Sequence, residues 1–569
     1  MHPTGPTTAL DLIHCMTYST DLDMPSRLKR ILCSSLMVTA ASTQASDTSL
    51  QSQLQSMLDG DRTGACMAVA TIDHGVKRAI ACADPAAATK RKLDFDTAFE
   101  IGSISKTMTA VVAAGLMRDT ELSLDTPISA LLPTDTQVPD FAGQPIRLRH
   151  LLTHTSGLPA LPSRMKATSL TDPYRKLTGN ALLASLADVT LLQAPGESFQ
   201  YSNFAMMVLS YALELHSQRE FDALLSDYVF KPLNMQHSFT HDKPKGVHMA
   251  QGHSALTKPV SNWSFTPGLH GAGGVRASLN DMVRYALAHL STVEDETTSL
   301  LRSTHTELSQ VDGQRVAHNW MINRIGNTDY LAHEGGTGGF SALIALDTQR
   351  QRGIVILADT ALTSLGGLSD YATALMDETA PAPQPRRELP APTTLLTHLT
   401  GEYELTEANL RMRLWEEDGA LKAQATGQGA FTLKYDSRGD FYPTSFDALL
   451  RPVETPQGLS FQWHQGGGIR MAQRVGAEPT DFTLPAEKLA EYVGIYPLMS
   501  GFSLTVAVTD DKLAIQGTGQ AALTVQAVAE DEFWRGDVGA KFVFNRGPHG
   551  HVISVTLNQH GQIITGQKQ

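Results

Sequence analysis

A serine and a lysine, Ser103 and Lys106, lie three positions apart at the start of an apolar segment. The residues from Thr107 to Met117 are almost all small or apolar, which favours a buried helix. At the start of that helix, the hydroxyl and N–H of Ser103 meet the positive end of the helix dipole, and Lys106 lies on the same face. A lysine partly desolvated by apolar neighbours can lose its proton and activate a serine. The pair therefore indicates nucleophilic catalysis through Ser103.

The Ser-x-x-Lys spacing is a weak signal by itself, because it occurs twice more, at Ser26 with Lys29 and at Ser163 with Lys166. The first copy lies in a segment with the pattern of a signal peptide, and the second follows a proline in a segment typical of a loop. A longer match is needed to single out Ser103.

That longer match is the octapeptide Phe99-Glu-Ile-Gly-Ser-Ile-Ser-Lys106, which resembles the active-site signature of the class C β-lactamases and their relatives residue for residue. The resemblance continues, in the order that the family has, through residues 148–159, 195–203, 271–275 and 333–340. It covers the chain from about residue 60 to 378. The chain is thus similar to the superfamily of serine β-lactamases and penicillin-binding proteins, and Ser103 matches the nucleophile.

The resemblance identifies Tyr201-Ser-Asn203, the single Tyr-x-Asn of the sequence, as the second motif. It implies that Tyr201 faces the serine as a general acid and base, with Lys106 as the alternative principal base. Asn203 is expected to orient the lysine and to bind the substrate's amide or ester group. We interpret His150 and His154, which lie in a recurring segment of the family, as structural residues.

The third motif, His333-Glu-Gly335, departs from the family pattern, because true β-lactamases usually carry Lys-Thr-Gly there. Gly335 is expected to let substrate approach the backbone, and the amide of Gly336 to complete an oxyanion hole with that of Ser103. His333 can donate a hydrogen bond but is mostly neutral near neutral pH, and Glu334 adds a negative charge. An anionic β-lactam is therefore a less natural substrate. Relatives with a histidine here include D-aminopeptidases and esterases.

The 569 residues exceed what one core usually fills, so two or three domains are expected. With 42% hydrophobic and 18% charged residues the chain is globular in composition. Its formal net charge of −13 argues against a nucleic-acid partner, which requires clustered cations. Ser, Lys and Tyr suffice for acyl transfer, so we expect no metal and no organic cofactor.

The N-terminal region has the pattern of a signal peptide over residues 24–45, with Arg27, Lys29 and Arg30 before an apolar run of eleven residues. Residues 1–23 do not belong to the signal-peptide pattern, and we interpret them as a misassigned extension. An apolar run this short cannot span a bilayer, which needs about 20 residues. We therefore expect an exported protein, periplasmic or extracellular, without a stable membrane anchor.

Two of the four cysteines, Cys66 and Cys82, belong to the mature chain and flank a predicted hairpin with its turn at Asp73-His74-Gly75. A loop of three residues places them opposite each other. A disulfide and two buried free thiols remain open alternatives, and neither makes a cysteine catalytic.

The chain divides into a mixed α and β region over residues 46–378, a proline-rich linker over 379–393, and two all-β regions over 394–480 and 481–569. The last two regions repeat each other: Leu399-Thr-Gly-Glu-Tyr403 matches Tyr492-Val-Gly-Ile-Tyr496 at an offset of 93 residues. The expected fold class is α+β. The resemblance implies an antiparallel sheet with a helical lobe, followed by two lipocalin-like barrels in the layout of D-aminopeptidases.

The sequence thus predicts a serine hydrolase that forms an acyl-enzyme on Ser103 and acts on a short peptide with D-residues or on a small ester. β-Lactam hydrolysis is the alternative. A different class of function is a penicillin-binding or ligand-binding protein with little turnover. The oligomeric state is not predicted.

Overall fold

The structure, a computed structural model, describes residues 47–166, 172–325, 328–377, 379–405, 410–455, 458–466, 468–475, 484–499, 501–535, 540–547, 549–559 and 562–569. The expected signal peptide and the extension before it lie outside the described residues. In the part of the chain that is described, no helix is both long enough and apolar enough to cross a membrane.

The predicted hairpin is present and begins the main sheet. Strands β1 (Cys66–Ile72) and β2 (Val76–Cys82) pair antiparallel with Cys66 opposite Cys82. The two cysteines form a disulfide, which resolves the alternatives that the sequence leaves open. His74 occupies the turn with a φ of 50°, in the left-handed region that tight turns use.

The main sheet has eight strands in the order β2-β1-β12-β11-β10-β9-β8-β7. The pairings described are all antiparallel. Two further pairs, β3 with β6 and β4 with β5, lie outside it. The remaining strands are β3 (Ala98–Glu100), β4 (Asp140–Phe141), β5 (Gln144–Pro145), β6 (Arg276–Ser278), β7 (Ser309–Val311), β8 (Gln314–Val316), β9 (Met321–Ile325), β10 (Thr328–Gly336), β11 (Ser341–Asp347) and β12 (Arg352–Ala358).

Helices cover both faces of this sheet, because its central strands carry apolar residues on both sides. In β12, Val355 and Leu357 belong to a large core with the helical lobe, whereas Ile354 and Ile356 belong to a smaller core on the opposite face. The helices are α1 (Asp47–Leu58), α2 (Ala87–Lys90), α3 (Ser105–Asp119), α4 (Leu148–Leu152), α5 (Gly179–Leu186), α6 (Asn203–Ser217), α7 (Phe221–Leu225), α8 (Leu279–Leu290), α9 (Glu296–Ser303) and α10 (Ser369–Met376).

The linker contributes a short strand, β13 (Glu388–Leu389), which pairs with the first barrel, and is followed by α11 (Thr393–Leu399). The first barrel consists of eight strands that close on themselves, since β14 pairs with β21 and β17 pairs with β18. Its strands are β14 (Gly401–Leu405), β15 (Leu410–Glu417), β16 (Ala420–Ala425), β17 (Phe431–Asp436), β18 (Phe441–Pro443), β19 (Leu449–Thr455), β20 (Gly458–Gln465) and β21 (Gly468–Arg474).

The second barrel follows α12 (Ala486–Leu489) and is a nearly closed sheet of eight strands in chain order. The end of the chain returns to its first strand, where the N–H of Gln569 donates to the carbonyl of Ile495 over 2.9 Å. The strands are β22 (Gly494–Met499), β23 (Phe502–Thr509), β24 (Lys512–Gly517), β25 (Leu523–Ala529), β26 (Glu532–Arg535), β27 (Ala540–Arg546), β28 (Val552–Gln559) and β29 (Gln562–Gln567).

The two barrels use the same hydrogen bonds at the repeated positions. The Tyr403 hydroxyl donates to the carbonyl of Leu399, four residues earlier, over 3.0 Å. The Tyr496 hydroxyl donates in the same way to the carbonyl of Tyr492 over 2.7 Å. The repeat in the sequence therefore corresponds to a repeated structure.

The first barrel is joined to the mixed α and β region by a buried ion-pair cluster. Arg386, in the linker, is 3% exposed and contacts Asp436 at 3.0 Å and Asp440 at 2.8 Å. The same guanidinium donates to the carbonyl of Leu365 over 2.9 Å. Leu365 ends a 3₁₀ turn, Thr363–Leu365, and the Thr363 hydroxyl lies against Gly336, next to the third motif, so this cluster also anchors that turn.

Candidate functional site

Ser103 lies in a 3₁₀ turn, Gly102–Ile104, which leads directly into α3. This helix is buried along its whole first part, from Ser105 to Leu116, as expected for a helix that is apolar all round. Ser103 itself is half-buried. The candidate nucleophile therefore lies in a backbone turn at the N-terminus of a central helix, which is the positive end of the helix dipole.

Lys106 is fully buried, and its Nζ has three oxygen neighbours. These are Ser103 Oγ at 2.9 Å, Asn203 Oδ1 at 2.7 Å and the carbonyl oxygen of Ala272 at 2.5 Å. Two of the three, the amide and carbonyl oxygens, can only accept hydrogen bonds. Ser103 Oγ can accept or donate. A neutral amine therefore fits this arrangement when its lone pair faces Ser103.

Burial sets the protonation state of both candidate bases. Desolvation lowers the pKa of Lys106 well below its usual 10.5. For Tyr201, desolvation raises the pKa above its usual 10, and hydrogen bonding to Ser103 opposes the shift only in part. Near neutral pH these directions favour a neutral phenol on Tyr201 and make a neutral Lys106 accessible.

Tyr201 is next to the pair, since Lys106 Nζ lies 4.9 Å from the centre of its ring. Asn203 is the first residue of α6, and its side chain bridges two groups. Its Oδ1 accepts from Lys106, and its Nδ2 donates to the hydroxyl of Tyr174 over 3.2 Å. These contacts fix the orientation of the Asn203 amide, so its oxygen faces the lysine.

His333 lies on β10 and is 3% exposed. Its Nδ1 is 2.7 Å from the carbonyl oxygen of Glu334, which can only accept, so Nδ1 carries the proton. Nε2 is then an acceptor, and no hydrogen-bond partner for it lies among the described residues. Burial and the neighbouring Lys106 lower the pKa of His333 to about 3, so its ring is neutral. The hydrogen bond that His333 is expected to donate therefore goes to the main chain, to the carbonyl of Glu334.

Gly335 and Gly336 bring β10 against the turn that carries Ser103. A methyl group on Gly335 would collide with the carbonyl oxygen of Ile101 and would lie 3.1 Å from the Ser103 nitrogen. A methyl group on Gly102 would lie 2.6 Å from the Gly336 nitrogen. The two amides expected to form the oxyanion hole therefore lie on segments in direct contact.

Glu334 points to the other face of β10, as the alternation of a strand requires. It is exposed and accepts a hydrogen bond from the Ser369 hydroxyl at the start of α10. On the site's border, the hydroxyl oxygen of Thr363 lies against Gly336.

Comparison with known proteins identifies the family of the chain. The family model described as Beta-lactamase matches residues 53–375, more than half of the chain. The chain belongs to the β-lactamase family. A second model, a domain of unknown function (DUF3471), matches residues 478–568.

Relatives of this β-lactamase-family chain include the D-alanyl-D-alanine-carboxypeptidase/endopeptidase AmpH of Escherichia coli K12, which is 26% identical over 300 residues, 50% of this chain and 76% of AmpH. Protein flp of Staphylococcus aureus MW2 is 26% identical over 282 residues, 48% of this chain and 54% of flp. The chain thus spans about half the length of flp. A solved β-lactamase/D-alanine carboxypeptidase from Yersinia pestis, complexed with citrate, is 20% identical with a TM-score of 0.49 and covers 59% of this chain and 99% of that one.

The structure brings together the site residues expected from the β-lactamase-family resemblance, which are Ser103, Lys106, Tyr201, Asn203, His333, Gly335 and Gly336. The other described Ser-x-x-Lys pair lies elsewhere: Ser163 and Lys166 are exposed, and the Ser163 hydroxyl donates to Asp188 over 2.6 Å. The copy at Ser26 lies outside the described residues.

Three contributors to the site were missed by reasoning from sequence. Ala272 contributes its backbone carbonyl, which accepts from Lys106. The glycines of residues 271–274 predict a tight turn near the pocket, but they do not predict this contact. Tyr174 and Thr363 come from segments without a motif, so no spacing identifies them. Among the described residues, no group of three or more His, Cys, Asp or Glu side chains is arranged to hold a metal ion.

Proposed function

We propose that this β-lactamase-family protein is an exported serine hydrolase that forms an acyl-enzyme on Ser103 and acts on a short peptide with D-residues or on a small ester. The observation that carries the proposal is the contact of a buried lysine with the serine. Lys106 Nζ lies 2.9 Å from Ser103 Oγ and is held by two oxygens that can only accept. The geometry suits a base whose lone pair faces the nucleophile.

Acylation begins when Ser103 Oγ attacks the substrate carbonyl carbon. As the Oγ–C bond forms, the Oγ proton moves to Lys106 Nζ and the carbonyl electron pair moves to oxygen. The new ammonium then donates to Asn203, Ala272 and the former hydroxyl oxygen, so all three of its protons are used. The amides of Ser103 and Gly336 stabilise the oxyanion.

The tetrahedral intermediate collapses when its leaving group takes a proton. Tyr201, kept as a phenol by its raised pKa, gives its proton to the leaving group and receives one from the Lys106 ammonium. The Lys106 amine is thereby regenerated. Water repeats the sequence on the acyl-enzyme and releases the product.

The third motif supports a substrate without an anionic group at His333. A neutral histidine with an acceptor nitrogen offers no positive charge to a carboxylate. The printed name of AmpH, a D-alanyl-D-alanine-carboxypeptidase/endopeptidase, supports substrates with D-residues. The disulfide between Cys66 and Cys82 supports export, since such bonds persist in oxidising compartments.

Turnover assays test this function directly. Purified protein should hydrolyse D-alanine p-nitroanilide or p-nitrophenyl acetate faster than nitrocefin, and Ser103→Ala should abolish both hydrolysis and labelling by a fluorophosphonate. Faster nitrocefin hydrolysis would favour a β-lactamase. Labelling without turnover of any of the three would favour a binding protein. In both barrels, buried side chains such as Tyr403, Phe461 and Tyr496 belong to a hydrophobic core.

The substrate preference has its own test. His333→Lys with Glu334→Thr should raise the ratio of the specificity constants for nitrocefin and p-nitrophenyl acetate by about ten- to a hundredfold, because one charge-assisted hydrogen bond to a carboxylate contributes about 1.5–3 kcal/mol. An unchanged ratio in a folded double variant shows that this motif does not set the preference.

A further inference from the structure

His154 has an unusual backbone conformation beside the second motif. It is fully buried, and its φ of 57° lies in the left-handed region, which is uncommon for a residue other than glycine. It follows α4, and from the sequence we interpret it as a structural residue. What surrounds it gives this residue a more specific role.

His154 holds the chain on both sides of Tyr201. Its carbonyl oxygen accepts from the N–H of Gln200 over 2.7 Å. Its ring Nδ1 accepts from the N–H of Ser202 over 3.2 Å. The ring packs on Tyr201 itself, with centres 4.3 Å apart and planes inclined by 31°. One residue therefore fixes the preceding amide, the following amide and the ring of the proposed general acid.

Ser202, which His154 holds, is also next to Asn203, the other functional residue of the second motif. Ser202 is the N-cap of α6, and its hydroxyl accepts from the N–H of Ala205 over 2.9 Å and donates to the carbonyl of Pro159 over 2.7 Å. Asn203 begins that helix. Holding Ser202 therefore fixes the start of the helix that presents Asn203 to Lys106.

The backbone donor also sets the tautomer of His154. Because the Ser202 N–H points at Nδ1, that nitrogen is unprotonated and the proton lies on Nε2. Burial, with Lys106 and His333 nearby, lowers the pKa of His154 well below its usual 6.5, so the ring stays neutral. The Nδ1 atom of His154 is therefore available as an acceptor near neutral pH.

We propose that His154 is a positioning residue that sets the place of Tyr201 for proton transfer, through the Ser202 hydrogen bond and the ring contact. The inference rests on the proposed role of Tyr201. His154 does not exchange protons in this scheme. Its effect on rate is therefore transmitted through Tyr201, whereas the Asn203 side chain is also held by Lys106 and Tyr174.

Two variants separate the two contacts. His154→Phe keeps an aromatic ring but removes the acceptor. His154→Asn keeps an oxygen near the Nδ1 position and tolerates a positive φ, but removes the ring. We expect kcat/KM for hydrolysis of D-alanine p-nitroanilide, whose amine leaving group needs a proton from Tyr201, to fall by about 10- to 100-fold in His154→Phe, since misplacement of a reacting group by about 1 Å has effects of this size. His154→Asn should retain more of the rate.

The chain provides a matched control in His150. Its Nδ1 also accepts a backbone N–H, that of Arg147, over 3.1 Å, but at the start of α4. His150→Asn should hydrolyse D-alanine p-nitroanilide within about twofold of the unmodified protein, because independent sites have little effect on each other. Thermal unfolding of each variant monitors the fold.

The decisive measurement is the same change in a Tyr201→Phe background. If His154 acts through Tyr201, His154→Phe should slow hydrolysis of D-alanine p-nitroanilide there by less than about twofold. An equal slowing in both backgrounds, or wild-type hydrolysis by both His154 variants, overturns the inference while leaving the role of Tyr201 intact. Wild-type hydrolysis by Tyr201→Phe alone overturns both. If the Phe variant does not fold, His154→Asn carries the same comparison.

Discussion

Asn203→Asp places a negative charge beside the proposed base without changing the shape of the side chain. Asn203 Oδ1 lies 2.7 Å from Lys106 Nζ. Lys106 must be neutral to accept the Ser103 proton, so activity should rise with pH through the lowered pKa of Lys106. A carboxylate at position 203 stabilises the ammonium and raises that pKa. The acidic limb of the pH profile should therefore move to higher pH.

The size of the shift follows from the charge separation. Two unit charges 2.7 Å apart, the distance between Asn203 Oδ1 and Lys106 Nζ, interact by about 6 kcal/mol at an effective dielectric constant of about 20. One pKa unit corresponds to about 1.36 kcal/mol, so the shift is at most about 4.5 units. Desolvation of the new carboxylate reduces this, and we expect about 1–3 units. At a pH below the limb, each unit lowers the rate about tenfold.

The assay is the second-order rate of Ser103 labelling by a fluorophosphonate as a function of pH. Asn234→Asp, which adds the same charge at an exposed turn, is the control and should leave the limb in place. The limb should also persist in the residual activity of Tyr201→Phe and still move with Asn203→Asp. A limb that disappears with Tyr201→Phe, or that Asn203→Asp leaves unmoved, refutes the assignment of Lys106 as the base.

Three other changes test how the site and the fold are held. Gly335→Ala should abolish labelling of the nucleophile, because its methyl group collides with the facing turn, whereas Gly75→Ala, with no atom within 4 Å, should not. Replacing Cys66 and Cys82 by Ala should destabilise the protein by about 3 kcal/mol, as expected for a loop of about 15 residues, and thiol titration of the denatured unmodified protein should find neither cysteine free. Arg386→Met should lower the free energy of unfolding by about 1.5–3 kcal/mol in denaturant titrations, because Asp436 and Asp440 lose this partner but keep Arg62 and Arg451; a loss below about 0.5 kcal/mol would assign the interface to other contacts.

Local patterns predicted the parts of this fold that depend on neighbouring residues. Alternating apolar and polar residues around a turn sequence predicted the hairpin of Cys66 and Cys82. The apolar composition of residues 107–117 predicted the helix after Ser103. The proline-rich linker was expected as an extended segment, and part of it forms a strand against the first barrel. The repeat indicated two similar β regions. Barrel closure was not predictable in this way, because it depends on pairing between strands distant in the chain, such as β14 with β21.

The site shows the same division. Ser103, Tyr201 and His333 could be named because each lies in a segment that resembles a family motif. The carbonyl of Ala272 and the hydroxyl of Tyr174 could not, since any residue supplies a carbonyl and an isolated tyrosine carries no pattern. His154 was visible, but its role depends on contacts made 46–48 residues away, at Gln200 and Ser202.

The neutral third motif and the choice of base are connected by electrostatics. A lysine at position 333, as in the usual motif, would stabilise a phenolate on Tyr201 and make a second ammonium at Lys106 less favourable. Here His333 is uncharged, so nothing in that position offsets the burial that raises the pKa of Tyr201. The proton of Ser103 then has the Lys106 amine as an acceptor at 2.9 Å. In the proposed mechanism, the neutral third motif therefore favours Lys106 over Tyr201 for the first proton transfer.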